Sequence, residues 1–182
     1  MKVVVGITGA SGSIYAHRLI AHLKNLNCQV EVICTTSGEK VSHYEHETAG
    51  FDLCDKRYSI EDYFAPVASG SYTYDALVIL PASMGTLGKI ANGIADNLLC
   101  RAADVRIKEK GKCLIVPREM PLSPIHLENM LKLSRLGVTL IPASPHFYHH
   151  PKNINDLVDT VLARVLDHIG IPHQIGQRWG EK

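Results

Sequence analysis

ALVILPASMGT, residues 76–86, decides the fold. An unbroken apolar run with no polar alternation describes a strand buried on both faces, as the central strands of parallel sheets are. Pro81 ends the run. Ser83 stands where a helix N-cap belongs and opens a helix through Ala91.

The same strand–turn–helix unit recurs in both directions. Towards the N-terminus, residues 2–7 form a β-branched run, GASGS follows at 9–13, and 14–26 carry apolar residues at helical spacing. Residues 30–34 read as a second strand, and Ser37 as the cap of a helix over 39–45. Residues 49–71 are polar and irregular, a surface excursion with one helical turn near 60–64. Towards the C-terminus come a helix at 97–109, a buried strand at 113–116 and a helix at 123–133. A strand at 138–141 and a long amphipathic helix at 154–169 complete the order. Alternation without repeats predicts an α/β fold, a three-layer doubly wound parallel sheet.

The chain has 182 residues, 46% of them hydrophobic, which predicts one domain over 1–182 with a C-terminal helix and tail. A net charge of +1 provides no field that would draw nucleic acid or an anionic membrane. No run is long and apolar enough to span a bilayer. The apolar start is short and runs into a Gly-rich turn, so it reads as a strand and not as a signal peptide. Five scattered cysteines without a CxxC pair read as thiols of a reducing compartment, which predicts a cytoplasmic protein.

Parallel sheets of this kind bind ligands past the carboxyl ends of their strands, and every candidate motif falls there. Gly9, Ala10 and Ser11 open the first loop, where a helix N-terminus offers N–H groups to an anion. The pattern is not GxGxxG, and Ser37 replaces the acidic residue a dinucleotide ribose would need, so a mononucleotide fits better. Ser83, Met84, Gly85 and Thr86 form a comparable loop. Both also read as ordinary capped turns. In VPREMP, residues 116–121, Arg118 follows a strand on a proline-bracketed turn and suits a phosphate. Glu119 reads either as its ion-pair partner or as a functional carboxylate, and Glu47 either as an exposed helix-end residue or as the same. His43, His46, His146, His149 and His150 lack a metal-ligand spacing. Trp179 reads as a tail anchor on a partner or on the core.

Taken together, TGASG, PASMGTLGKIANGIADNLL, RAADVRIKE, VPREMPLSPIHLENMLKLS, PASPHFYHHP and DLVDTVLARVLDHIGIP resemble the UbiX-type flavin prenyltransferases over nearly the whole chain. The resemblance implies a Rossmann-like flavoprotein fold and no metal. It implies transfer of a dimethylallyl group from dimethylallyl phosphate to N5 and C6 of reduced FMN. The prenylated FMN would serve a separate UbiD-type decarboxylase. A homododecamer with active sites at subunit contacts is implied as well. Gly9, Ala10, Ser11, Ser37, residues 83–86 and Arg118 match the family's flavin contacts, although some members carry Lys where this chain has Gly85. Lys108, Tyr148 and Arg164 match the set around the prenyl phosphate. Ser11, Glu47 and Glu119 match groups at the reacting centre, and Tyr63 falls where some members have Trp. PASMGT also resembles a segment of FMN-dependent cysteine decarboxylases, but their PxMNxxMW-like segment is replaced here by PREMPL, residues 117–122. The remaining alternative is a non-catalytic flavin-carrying subunit of a decarboxylase.

Overall fold

The computed structural model describes residues 1–176, 178 and 180; Trp179 lies outside the described residues. The strands are β1 (Lys2–Ile7), β2 (Gln29–Cys34), β3 (Lys56–Tyr58), β4 (Ala76–Ala82), β5 (Lys112–Pro117) and β6 (Thr139–Leu140). The helices are α1 (Ile14–Asn25), α2 (Thr36–Tyr44), α3 (Ala49–Leu53), α4 (Met84–Ala91), α5 (Leu98–Lys108), α6 (Pro124–Arg135) and α7 (Ile154–Ile169). The strands form one sheet in the order β3-β2-β1-β4-β5-β6, and every pairing is parallel. This is the Rossmann order. It reverses between β1 and β4, so the crevice of the fold opens beyond Ile7 and Ala82.

Period-two alternation divides the core into two layers. Val3, Val5 and Ile7 pack with Leu19 of α1 and Leu162 of α7 on one face. Val4, Leu77 and Ile79 pack with Leu87 of α4 and Leu99 of α5 on the other. Each of these side chains is fully buried, and each contributes about 1.5–3 kcal/mol on that account.

The segment at 49–71 corrects the sequence expectation. It is not merely an irregular excursion, because it supplies α3 and the edge strand β3 and then a 3₁₀ turn at Pro66–Ala68, while residues 60–64 form no helix. Lys56-Arg57-Tyr58 is too short and polar to carry a strand pattern. It is held by tertiary contacts instead. The buried Glu31 of β2 accepts hydrogen bonds from the hydroxyls of Tyr58 at 3.0 Å and Tyr72 at 2.6 Å. These bonds satisfy a carboxylate that would otherwise be costly to bury.

His17 of α1 anchors the next stretch. Its Nδ1 accepts the Gly50 N–H at 3.0 Å, so the proton sits on Nε2, which faces the Ser42 hydroxyl at 3.1 Å. Burial, with Arg57 and His43 nearby, lowers its pKa to about 4. A base depressed in the folded state stabilises fully only above its unfolded pKa. Stability is therefore expected to fall as pH drops from about 6.5 towards 4. Urea titrations at pH 7 and pH 5 read this loss. In His17→Asn, which has no proton to take up, the fall is smaller; an equal fall in both proteins contradicts the assignment.

Candidate active site

Three loops meet past the strand ends. Thr8, at the end of β1 and 1% exposed, joins two of them: its hydroxyl donates to the Pro81 carbonyl at 2.7 Å and accepts the Ser83 N–H at 2.8 Å. Gly9 lies against the second loop. A Cβ at that position would stand 2.6 Å from the Ser37 Cβ, closer than real atoms approach. Gly9→Ala is expected to push these loops apart and weaken binding of the FMN expected from the sequence about fivefold or more, since such overpacking costs about 1–3 kcal/mol. Calorimetric titration checks it, and an unchanged affinity removes Gly9 from the site.

α2 and α4 begin on this edge. Ser83 caps α4 as expected, accepting the Thr86 N–H. The cap of α2 is Thr35 and not Ser37: Thr35 has the extended backbone of a cap, and its hydroxyl accepts the Gly38 N–H at 3.0 Å. Ser37 is released to the helix's first turn, where it faces the same cleft as Gly9, Ser83, Gly85 and Thr86. The cleft, about 510 Å³, is completed by Ile60, Asn97 and the Lys89–Asp96 ion pair at 2.6 Å. The first N–H groups of α2 and α4 have no acceptor within their own helices.

The N-terminus of α1 is different. Glu45, from the end of α2, accepts the N–H groups of Gly12 at 3.0 Å and Ser13 at 2.8 Å, and the Ser13 hydroxyl at 2.6 Å. Burial pushes its pKa up, but hydrogen bonds from Ser11, Ser13 and Gly12 outweigh this and hold it below the usual carboxylate value. The expectation that the first loop offers its helix N-terminus to a ligand phosphate is therefore corrected: a carboxylate of the chain holds that position.

Arg118 reaches the same loop, donating from Nε to the Ser11 carbonyl at 3.0 Å. Glu119 does not pair with it. Its Oε1 accepts the N–H of Met120 at 3.0 Å, and the side chain is exposed. Glu47 is half-buried, with its N–H given to the Ser42 carbonyl at 2.9 Å.

The chain and its fold are similar to known proteins. The sequence matches the Flavoprotein family over residues 1–166. It is 47% identical to the flavin prenyltransferase UbiX of Methanocaldococcus jannaschii, covering 99% of both chains. The structure superposes with a TM-score of 0.96 on AnUbiX (PadA1) in complex with FMN and dimethylallyl pyrophosphate, at 35% identity over 100% of this chain and 98% of that one. It superposes at 0.95 on a dodecameric FMN-dependent UbiX-like decarboxylase from Escherichia coli O157:H7, at 42% identity over 98% and 99%.

The chain belongs to the UbiX flavin prenyltransferase family.

A flavin prenyltransferase needs a flavin cradle, and this cleft is the candidate for it. Gly9 clears the approach to Ser37, two helix N-termini supply N–H donors, and Gly85 faces open space, so that position accommodates a ligand or a longer side chain. Ala10 is buried, and Met84 belongs to the core of the α4–α5 face, so both would act through their backbone. Tyr63, 46% exposed, lies within electrostatic reach of Lys89.

The predicted prenyl-phosphate residues do not reach this cleft in one chain. Lys108 is the last residue of α5 and pairs with Glu109 at 3.5 Å. The first turn of α5 stands at the cleft, so its eleven residues carry Lys108 about 15 Å away, to the opposite edge of the sheet. Arg164 lies on α7, in the other layer, bonded to Asp167 at 2.9 Å. Tyr148 stacks on His146 with ring centroids 4.0 Å apart, and His149 meets both edge-on. Among the described residues no group of three or more His, Cys, Asp or Glu could hold a metal ion.

Thr8, Thr35, Asn97 and Glu45 were not anticipated as site residues. The position of Thr8 at a strand end, before a glycine, was the available signal. Glu45 gave none.

Proposed function

We propose that this protein joins the dimethylallyl group of dimethylallyl phosphate to N5 and C6 of reduced FMN, and that the prenylated flavin passes to a separate UbiD-type decarboxylase. The observation carrying this reading is the convergence of the Gly9, Ser37 and Ser83 loops on one cleft, with Arg118 bonded to the Ser11 carbonyl of the first of those loops. Bound reduced flavin supplies the nucleophilic atoms. The chain's own residues do the rest. The N–H groups of α2 and α4, with Ser37, Ser83 and Thr86, hold the flavin phosphate by charge–dipole attraction and hydrogen bonds. Arg118 fixes Ser11 at the flavin edge. Lys108, Tyr148 and Arg164 bind the prenyl phosphate and stabilise the charge it gains as its C–O bond breaks. Cationic side chains meet that charge, so the reaction needs no metal. Tyr63 offers an aromatic face to the allyl cation. Glu47 and Glu119 accept protons, with Ser11 as a relay.

The separation of Lys108 and Arg164 from the cleft supports sites completed by neighbouring subunits, and the dodecameric Escherichia coli neighbour makes a homododecamer the assembly proposed. Exposed apolar side chains agree: Phe64 is 100% exposed in one chain, Met120 86% and Ile125 68%. Such surface is normally covered by a partner. Light scattering at micromolar concentration should report an oligomer larger than a dimer; a monomer refutes this assembly. Among the described residues no helix is long and apolar enough to cross a membrane, and the five cysteines are free thiols. The free thiols accord with work in a reducing cytoplasm, and the one continuous sheet with a single flavoprotein domain.

Arg164→Ala is expected to raise the KM for dimethylallyl phosphate at least about tenfold, while the FMN Kd stays within about twofold. Equal losses in both place Arg164 outside the prenyl-phosphate site.

A further inference from the structure

We propose that Asp167 is a positioning residue for the prenyl phosphate: it holds the Arg164 guanidinium by one nitrogen and leaves the edge formed by the other two for the phosphate. The inference rests on the role given above to Arg164. Its basis is the choice of donors in the ion pair. Asp167 takes Nη1 of Arg164 alone, at 2.9 Å. Among the described residues Nε and Nη2 of Arg164 make no hydrogen bond, and the side chain is 56% exposed. Nε and Nη2 form an edge that grips two oxygens at once. Arg18 shows that grip within this protein, its Nε and Nη2 each 2.6 Å from an oxygen of Asp159. Arg18 therefore has this edge occupied, whereas Arg164 keeps it open.

The carboxylate is itself fixed by the segment after α7. Gly170 ends the helix in the left-handed conformation, φ +84°, and the chain turns back. Ile171 is buried and Ile175 packs against the core of this face. A Cβ at Gly176 would stand 3.7 Å from the Cβ of Ala163, the residue before Arg164. Two groups of this returning segment reach Asp167. His173, its side chain 3% exposed, accepts the Ile175 N–H at Nδ1, so its Nε2 carries the proton, 3.2 Å from Oδ1 of Asp167. Arg178 donates to the same oxygen at 2.7 Å, while Arg164 uses Oδ2. Burial pushes the pKa of Asp167 up, but Arg178 and His173 outweigh this and hold it below the usual carboxylate value, so it stays charged. A clasp that only pinned the tail would need Arg178 and His173. The bond to Arg164, three residues earlier on the same helix, adds nothing to that tether. Two guanidiniums against one carboxylate also leave the cluster net positive, as an anion site requires. Arg164 stands near the aromatic stack as well: burial, then His149, then Arg164 lower the pKa of His146, whose ring lies on Tyr148. Two residues assigned to the prenyl phosphate thus come together, and Asp167 sets the orientation of one of them.

The test uses the full-length oligomer with reduced FMN and dimethylallyl phosphate under anaerobic conditions. Asp167→Ala is expected to raise the KM for dimethylallyl phosphate about fivefold or more, and Asp167→Asn, which keeps the shape and one acceptor, about two- to threefold, with the FMN Kd within about twofold of the parent. In an Arg164→Ala background, Asp167→Ala is expected to change that KM by less than about 1.5-fold, because the residue acts through Arg164. If Asp167→Ala fails to assemble, Asp167→Asn carries both measurements. An assembled Asp167→Asn protein with unchanged KM overturns the proposal. Effects that add in full in the double variant overturn it too, and leave Asp167 a clasp for the tail. A lowered KM also overturns it, since the carboxylate would then only repel the phosphate. Arg164→Ala is measured in parallel. If it leaves the KM unchanged, the prenyl-phosphate reading fails and this inference with it; if it raises the KM and the Asp167 variants do not follow, this inference alone fails.

Discussion

Replacing Glu119 by glutamine lowers turnover about a hundredfold or more, the usual loss when a general acid–base group is removed, and leaves the FMN affinity nearly unchanged. The amide keeps the shape of the side chain and an oxygen for the Met120 N–H that Glu119 now accepts. The fold is therefore preserved while basicity is lost. The absence of an Arg118–Glu119 ion pair sharpens this test. Were the two paired, the substitution would also free a guanidinium and disturb the loop that Arg118 holds through the Ser11 carbonyl. Glu47→Gln is expected to lose as much. The two differ in where they stop: Glu47→Gln at the first bond-forming step and Glu119→Gln at the ring-closing step. Rapid-quench analysis of the flavin separates these outcomes. Full, unslowed conversion in both variants would make the carboxylates structural and assign the proton chemistry to the departing phosphate.

The second large effect belongs to the assembly. Arg164→Ala and Glu119→Gln subunits, each impaired alone when dimethylallyl phosphate is kept well below the KM of the Arg164→Ala protein, are expected to recover activity when assembled together. If a site takes Arg164 from one subunit and Glu119 from its neighbour, random mixing restores about a quarter of the sites, those formed from two intact contributions. Specific activity of the mixed oligomer after unfolding and co-refolding is the readout. No recovery above the mean of the two variants would place both residues in the same chain's site.

How much of this was legible in the sequence depended on the range of the interactions. The helix expected at 154–169 coincides with α7, because sixteen residues of strong periodicity outweigh any local ambiguity. β4 was legible for a related reason: seven residues buried on both faces leave no polar position to confuse the pattern. β3 was not, since three residues, two of them exposed, carry no period; its pairing relies on Glu31, distant in sequence. The cap of α2 fell among three neighbouring hydroxyls, Thr35, Thr36 and Ser37, and only the end of β2 decides among them. Lys108 was a different case. The length expected of its helix already placed it at the far edge of the sheet, so its separation from the flavin loops was readable from the sequence. Glu45 was not readable, because its role exists only where the end of α2 meets the start of α1.

Mass spectrometry of the flavin, after anaerobic incubation of the protein with reduced FMN and dimethylallyl phosphate, tests the central claim most directly. A prenyltransferase returns flavin heavier by one prenyl unit, with free phosphate released in equal amount. Flavin of unchanged mass, bound tightly and recovered intact, would make this chain a carrier and contradict the account.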